Sequence, residues 1–147
     1  MLAELGLALA ALVAPSQPTV VLGPQSRGAM LGALVARELG VGLIEVRKDP
    51  ERQQLADSDA WLSQSARPDY RDRHLSLGFR RGLLQSGERA VFVDDWIDTG
   101  SQALASQGLV GAAGATWSGA VVIVDGLRDG RIRQGLQLRS LLHVREL

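Results

Sequence analysis

The sequence predicts an α/β fold in which a parallel β-sheet is covered by helices on both faces. Short runs of Val, Leu, Ile and Ala recur along the chain and alternate with segments of helical periodicity. The runs are nearly continuous in apolar character, the pattern of strands buried on both sides. Gly and Pro stand at the segment ends, where they stop helices and bound strands. On such sheets ligands bind beyond the carboxyl ends of the strands. The residues directly after each strand are therefore the first candidates for function.

Each element can be justified in order. Leu2, Leu5, Leu9, Leu12 and Val13 form one face of an amphipathic helix, stopped by Pro15 and Pro18. This segment is not read as a leader, because Glu4 stands where a basic residue belongs and the apolar run is too short to span a bilayer. A cytoplasmic location with no membrane partner is expected. Thr19–Gly23 is a buried strand. Gly28–Leu39 carries Met30, Leu31, Leu34, Val35 and Leu39 at helical spacing and ends at Gly40. Gly42–Val46 is a second strand, and Arg89–Val93 a third that runs into Asp94 and Asp95. Ser101–Val110 is a helix, Trp117–Val124 a fourth strand and Leu138–Val144 a fifth.

The stretch from Lys48 to Glu88 shows no apolar periodicity strong enough for a core element, and it reads as a mobile lid over a site. It has room for a short helix around Trp61 and Leu62, and for a hairpin pairing His74–Phe79 with Gly82–Leu84. The 147 residues suit one domain, 1–147.

Composition narrows the chemistry. There is no Cys, so thiol nucleophiles, disulfides and Cys-held metals are excluded. His74 and His143 are the only imidazoles, too few for a three-His metal site. The sixteen basic and sixteen acidic side chains cancel, which argues against nucleic acid as a partner. The charge is nonetheless segregated. Ala90 to Leu127 holds no Lys or Arg but carries Asp94, Asp95, Asp98 and Asp125, whereas Arg67 to Arg81 is rich in arginine.

The segment Val91-Phe-Val-Asp-Asp-Trp-Ile-Asp-Thr-Gly-Ser-Gln102 carries the sharpest signal. A buried strand delivers two adjacent carboxylates, a costly place for charge unless something uses it. Thr99-Gly100-Ser101 then opens a helix. Gly100 lets the backbone approach a ligand, and the free N–H groups of a helix start, with the Thr99 and Ser101 hydroxyls, make an anion cradle. Carboxylates for vicinal hydroxyls beside a cradle for phosphate form a template for a ribose 5-phosphate. The order of a P-loop is absent.

Val93-Asp94-Asp95-x-x-Asp98-Thr99-Gly100 resembles the phosphoribosyl pyrophosphate (PRPP) motif of type I phosphoribosyltransferases. Leu22-Gly-Pro-Gln-Ser-Arg-Gly28, with Leu39-Gly-Val-Gly-Leu-Ile-Glu-Val-Arg-Lys48, resembles the pyrophosphate loop and following strand of the adenine phosphoribosyltransferases. The resemblance covers roughly Thr19 to Val124. It implies a type I phosphoribosyltransferase-like fold with a parallel sheet flanked by helices, a long flexible lid at about 48–88 and a short N-terminal hood. It further implies that Ser26, Arg27, Gly28 and Lys48 hold the departing diphosphate. Asp94 and Asp95 would bind the ribose hydroxyls and reach Mg²⁺ indirectly, through PRPP or water. Thr99, Gly100, Ser101 and Gln102 would wrap the 5-phosphate. Arg67, Arg71 and Arg73 are candidates to close over the diphosphate from the lid.

Two departures bear on the base. Ser76, in Leu75-Ser-Leu-Gly78, stands where adenine-type enzymes carry a Glu near the purine. Asp98 occupies the position of the Asp that hypoxanthine–guanine enzymes use beside the imidazole ring. Asp98, Arg27 and Lys48 are thus the expected catalytic residues. The expected function is transfer of ribose 5-phosphate from PRPP to a nucleobase, adenine-like first and a 6-oxopurine second. A non-catalytic PRPP-binding regulatory protein is the alternative, and a homodimer is the assembly the resemblance suggests. Trp96 and Tyr70 are open between stacking on a base and packing, and His74 and His143 read as structural or solvent-facing.

Overall fold

Apolar residues at alternate positions of each strand feed two opposite layers, and this sets the architecture. The computed structural model describes residues 1–50, 58–66 and 75–147. Within them the strands are β1 (Val20–Pro24), β2 (Gly42–Lys48), β3 (Trp61–Ala66), β4 (Leu75–Arg80), β5 (Arg89–Ile97), β6 (Thr116–Asp125) and β7 (Leu138–His143). The helices are α1 (Leu2–Val13), α2 (Arg27–Leu39), α3 (Ser101–Ala112) and α4 (Gly130–Leu136). All the strands join one sheet in the order β3-β4-β2-β1-β5-β6-β7.

Val21, Val91, Val93 and Val121 point to one face, where Leu9, Ala10 and Val13 of α1 and Leu31, Val35 and Ala36 of α2 cover them. Val20, Leu22, Ile44, Val46 and Ala90 point to the other, against Ala105, Leu109 and Val110 of α3. Phe92, Ala120 and Val122 continue that second layer with Ala103 of α3, Leu127 and Leu136 of α4. The N-terminal helix is therefore a packing helix that crosses α2, with Gly6 close against Leu34.

From β2 to β7 across β1, β5 and β6 the pairing is parallel. β1 leads to β2 on one side, while its other neighbour is β5, which leads to β6. The sheet thus reverses direction of winding between β1 and β5, and a ligand crevice belongs at their carboxyl ends.

The Lys48–Glu88 stretch differs from expectation. It holds two strands, β3 and β4, antiparallel to each other, and β4 runs antiparallel to β2. Trp61, Ala66, Leu77, Phe79 and Leu84 are buried. The expected helix around Trp61 is a strand, and Leu75–Arg80 pairs with Trp61–Ala66 instead of with Gly82–Leu84. The sheet is accordingly mixed at this edge. The apolar residues here are separated by Ser, Gln and Gly, so the signal of each strand is faint until the pairing is known. Arg67, Tyr70, Arg71, Arg73 and His74 lie outside the described residues.

Candidate active site

The crevice at the switch point is built by two turns and the end of one strand. β1 ends at Pro24, and Gln25, Ser26 and Arg27 turn the chain into α2, with a cis peptide bond between Gln25 and Ser26. Gln25 is anchored twice to β2: its N–H donates to the Val46 carbonyl at 3.0 Å, and its Oε1 accepts from the Lys48 N–H at 3.0 Å. That fixes the turn beside Lys48. A Cβ on Gly28 would collide with the Pro24 ring, 2.6 Å from its Cγ, and stand 3.0 Å from Asp94 Oδ1, so glycine lets the start of α2 pack against the end of β1 beside the carboxylate.

β5 runs through Asp94 and Asp95 to Ile97, longer than the sequence suggests. Asp94 Oδ1 accepts from the Asp95 N–H at 2.8 Å, and Asp95 Oδ1 from the Trp96 N–H at 2.8 Å. Burial pushes the Asp94 carboxyl up to about 7; the Asp95 N–H pulls against this, the Asp95 charge adds to it and the Lys48 charge opposes it. Arg27 Nε lies 2.7 Å from Asp95 Oδ2. Gln25, Ser26, Arg27, Lys48, Asp94, Asp95, Trp96 and Gln102 line one cleft of about 500 Å³.

The second turn follows β5. Gly100 is the N-cap of α3 with φ of 81°, a left-handed conformation that favours glycine. The Gly100 cap offers the helix no side-chain acceptor, so the Gln102 and Ala103 N–H groups stay available to an anion. The Thr99 and Ser101 hydroxyls lie 2.9 Å apart, and the Ser101 N–H donates to Thr99 Oγ1 at 3.3 Å. Asp98, Thr99, Gly100, Ser101 and Gln102 line a pocket of about 120 Å³ with Asp94 and Trp96. Asp94, Trp96 and Gln102 are common to both spaces, so the two form one continuous site.

No family model matches the chain. The adenine phosphoribosyltransferase of Desulfitobacterium hafniense is 32% identical over 132 residues, covering 88% of this chain and 72% of the relative. That of Methylococcus capsulatus is 36% identical over 149 residues, covering 96% and 81%. The chain belongs to the adenine phosphoribosyltransferase family. Among solved structures, the adenine phosphoribosyltransferase of Rhodothermus marinus superposes with a TM-score of 0.79 at 26% identity, covering 96% of this chain and 78% of its own. The Trypanosoma brucei enzyme, in complex with AMP, pyrophosphate and ribose-5-phosphate, shares the fold with a TM-score of 0.77 at 23% identity, covering 99% and 65%.

As a member of the adenine phosphoribosyltransferase family the chain is a transferase of purine salvage. The fold brings Ser26, Arg27, Gly28, Lys48, Asp94, Asp95, Thr99, Gly100, Ser101 and Gln102 to a single crevice. Asp98 is exposed on its rim and also borders a cleft of about 480 Å³ with Trp96, Gly126, Leu127, Arg128, His143, Val144 and Arg145. Ser76 lies elsewhere: its N–H and hydroxyl bond Asp49 Oδ1 at 3.1 and 3.3 Å, and its carbonyl accepts from the Asp49 N–H at 2.8 Å. It ties β4 to the end of β2. Sequence reasoning missed Gln25, whose anchoring role depends on register, and the Arg128–Arg145 wall, which only the sheet order brings to Asp98. His143 has the structural role expected of it, its Nδ1 accepting from the Arg145 N–H at 3.2 Å, and it also borders that cleft.

Among the described residues no group of three His, Asp or Glu side chains stands ready to hold a metal. The paired carboxylates of Asp94 and Asp95 do fit Mg²⁺ of the kind that keeps its waters and is shared with substrate phosphates. No described helix is long and apolar enough to cross a membrane.

Proposed function

We propose that the chain transfers the ribose 5-phosphate of PRPP to a purine and releases diphosphate, with adenine as the first acceptor to test. One observation carries the reading: a carboxylate pair and an uncapped helix start share a continuous crevice with a turn bearing Arg27 and Lys48. Anion cradles at both ends and carboxylates between them match a sugar phosphorylated at both ends.

In this reading the α3 start and the Thr99 and Ser101 hydroxyls bind the 5-phosphate. Asp94 and Asp95 accept hydrogen bonds from the ribose hydroxyls. The backbone of Ser26–Gly28, with Arg27 and Lys48, binds the diphosphate. The bond from C1 to the diphosphate oxygen breaks and its electrons leave with the diphosphate, while a purine ring nitrogen donates the pair that forms the new bond at C1. The sugar passes through an oxocarbenium-like state. Arg27 and Lys48 balance the charge that grows on the leaving group. Asp94 and Asp95 would hold Mg²⁺ carried with PRPP, through PRPP or water, and the ion would add charge neutralisation there. Asp98 takes the proton that the purine imidazole ring loses. Because C1 bears an activated leaving group, exclusion of water protects PRPP from hydrolysis; some of Arg67, Arg71 and Arg73 are proposed to contact the diphosphate.

Diphosphate release from PRPP, Mg²⁺ and a panel of purines tests this. Turnover supports the transferase. Saturable PRPP binding without turnover supports the regulatory alternative, which the absence of Glu at Ser76 favours. No PRPP binding sinks both.

A further inference from the structure

We propose that Asp125 and Arg133 are positioning residues for the acceptor base, acting through Gly126 on the indole of Trp96. The inference rests on the proposed function and names the surface on which the base lies. Trp96 is 46% exposed although it sits in the sheet. It borders the diphosphate side, the α3 turn and the Asp98–His143 cleft, so it stands where the three spaces meet.

One edge of the indole is backed by main chain. A Cβ at Gly126 would stand 3.1 Å from Trp96 Nε1 and 2.9 Å from the Ile97 carbonyl oxygen. The Gly126 N–H donates to that same carbonyl at 2.8 Å. Gly126 is thus fixed between β5 and the indole, and a side chain there would press on the Ile97 carbonyl and push against the ring edge.

The turn that carries Gly126 is gripped from below. Asp125 is 3% exposed. Its Oδ1 accepts from the Leu127 N–H at 2.8 Å, and its Oδ2 lies 2.6 Å from Arg133 Nε. Arg133 Nη2 donates to Asp125 Oδ1 at 3.2 Å and to the Leu127 carbonyl at 2.5 Å. The ion pair therefore clasps both polar groups of Leu127, and the intervening Gly126 cannot shift alone. A buried ion pair repays its desolvation poorly as a stability device. Here its hydrogen bonds converge on the one turn that supports the exposed indole.

An indole held along its Nε1 edge and nearly half exposed offers a stacking surface for a planar heterocycle. A sugar fixed by Asp94, Asp95 and the α3 turn brings its C1 substituent past Trp96 toward Asp98. Stacking there favours a bicyclic purine, whose face covers more of the indole than a single ring does.

Calorimetric binding of AMP and of ribose 5-phosphate to the full chain tests the proposal without needing turnover. The unaltered protein is expected to bind AMP about tenfold more tightly than ribose 5-phosphate. Arg133→Met and, independently of any folding defect in that variant, Gly126→Ala should each lose about tenfold in AMP affinity with ribose 5-phosphate affinity unchanged. In a Trp96→Leu background neither change should cost AMP affinity further, because all three act on one surface. Trp96→Phe should recover most of what Trp96→Leu loses. Equal losses for both ligands, or losses that persist in the Trp96→Leu background, would show the clasp to be structural and overturn the proposal. Ribose 5-phosphate binding with no gain from the base overturns this inference alone. Failure of both ligands to bind overturns the proposed function with it.

Discussion

Arg27 Nε and Asp95 Oδ2 lie 2.7 Å apart, tying the turn after β1 to the carboxyl end of β5 across the switch point of the sheet. The group assigned to the diphosphate thus rests on a group assigned to the ribose. The Arg27 side chain is 80% exposed, so the pair contributes no more than about 1 kcal/mol to stability. Arg27→Ala should leave urea unfolding nearly unchanged and weaken diphosphate binding by about tenfold or more. Unchanged diphosphate affinity would contradict the role of Arg27.

Asp94 gives a pH dependence of defined sign. Its carboxyl is raised from 3.8 to about 7, chiefly by burial, with the Asp95 charge contributing. A raised carboxyl pKa means the folded chain holds the proton more tightly than the unfolded chain. The stabilisation is complete below 3.8 and is lost as pH rises through about 7. Asp94→Asn should therefore be more stable than the unaltered protein at pH 8, by at most on the order of 4 kcal/mol. Unfolding in urea at pH 4 and pH 8 should show that advantage growing with pH; an advantage independent of pH would contradict the assignment.

Asp98 has no structural duty in the helix beside it. The N-cap of α3 is Gly100, and no side chain caps it. Asp98→Asn should change stability by less than about 0.5 kcal/mol. PRPP affinity should persist while turnover falls by about 10²–10³-fold. Steady-state diphosphate release with PRPP titrations separates the two effects, and intact turnover would remove Asp98 from the proton transfer.

The Asp125–Arg133 pair predicts an acid-sensitive contribution. Burial raises the Asp125 carboxyl, but the Arg133 hydrogen bonds, the Leu127 N–H and the Arg133 charge together hold it below 3.8. A lowered carboxyl pKa stabilises above the unfolded value and the gain disappears as pH falls through the folded value. Arg133→Met should cost about 3–5 kcal/mol at pH 7, because it strands a buried carboxylate. Replacing both partners by apolar residues should cost less. Thermal unfolding of the single and double variants, compared at pH 7 and pH 3, tests both statements.

The parallel strands and the crevice were legible because their signals are local. Val20–Leu22 and Val91–Val93 are continuous apolar runs, and Gly100 and Gly40 mark turns in the left-handed conformation. The β5–α3 turn could be read as an anion cradle from its residue types. β3 and β4 were not legible, because Trp61, Leu77 and Phe79 are scattered among Ser, Gln and Gly, and their burial follows from the pairing of β4 with β3 and β2 and from packing in the core. Helix α4 was missed as well, although Asp129 caps it by accepting from the Arg131 N–H at 2.8 Å. Its short apolar content, with Leu136 as its buried residue, left no periodicity to detect. Ser76 and Gln25 owe their roles to register, which neither composition nor spacing encodes.

The central claim is that one crevice grips both phosphorylated ends of PRPP. Calorimetric titration of the chain with PRPP and Mg²⁺, repeated with Thr99→Val/Ser101→Ala and with Arg27→Ala/Lys48→Ala, tests it most directly. Saturable binding that each double variant weakens, the first through the 5-phosphate and the second through the diphosphate, is the predicted result. Absence of PRPP binding, or binding indifferent to both double variants, would contradict the account.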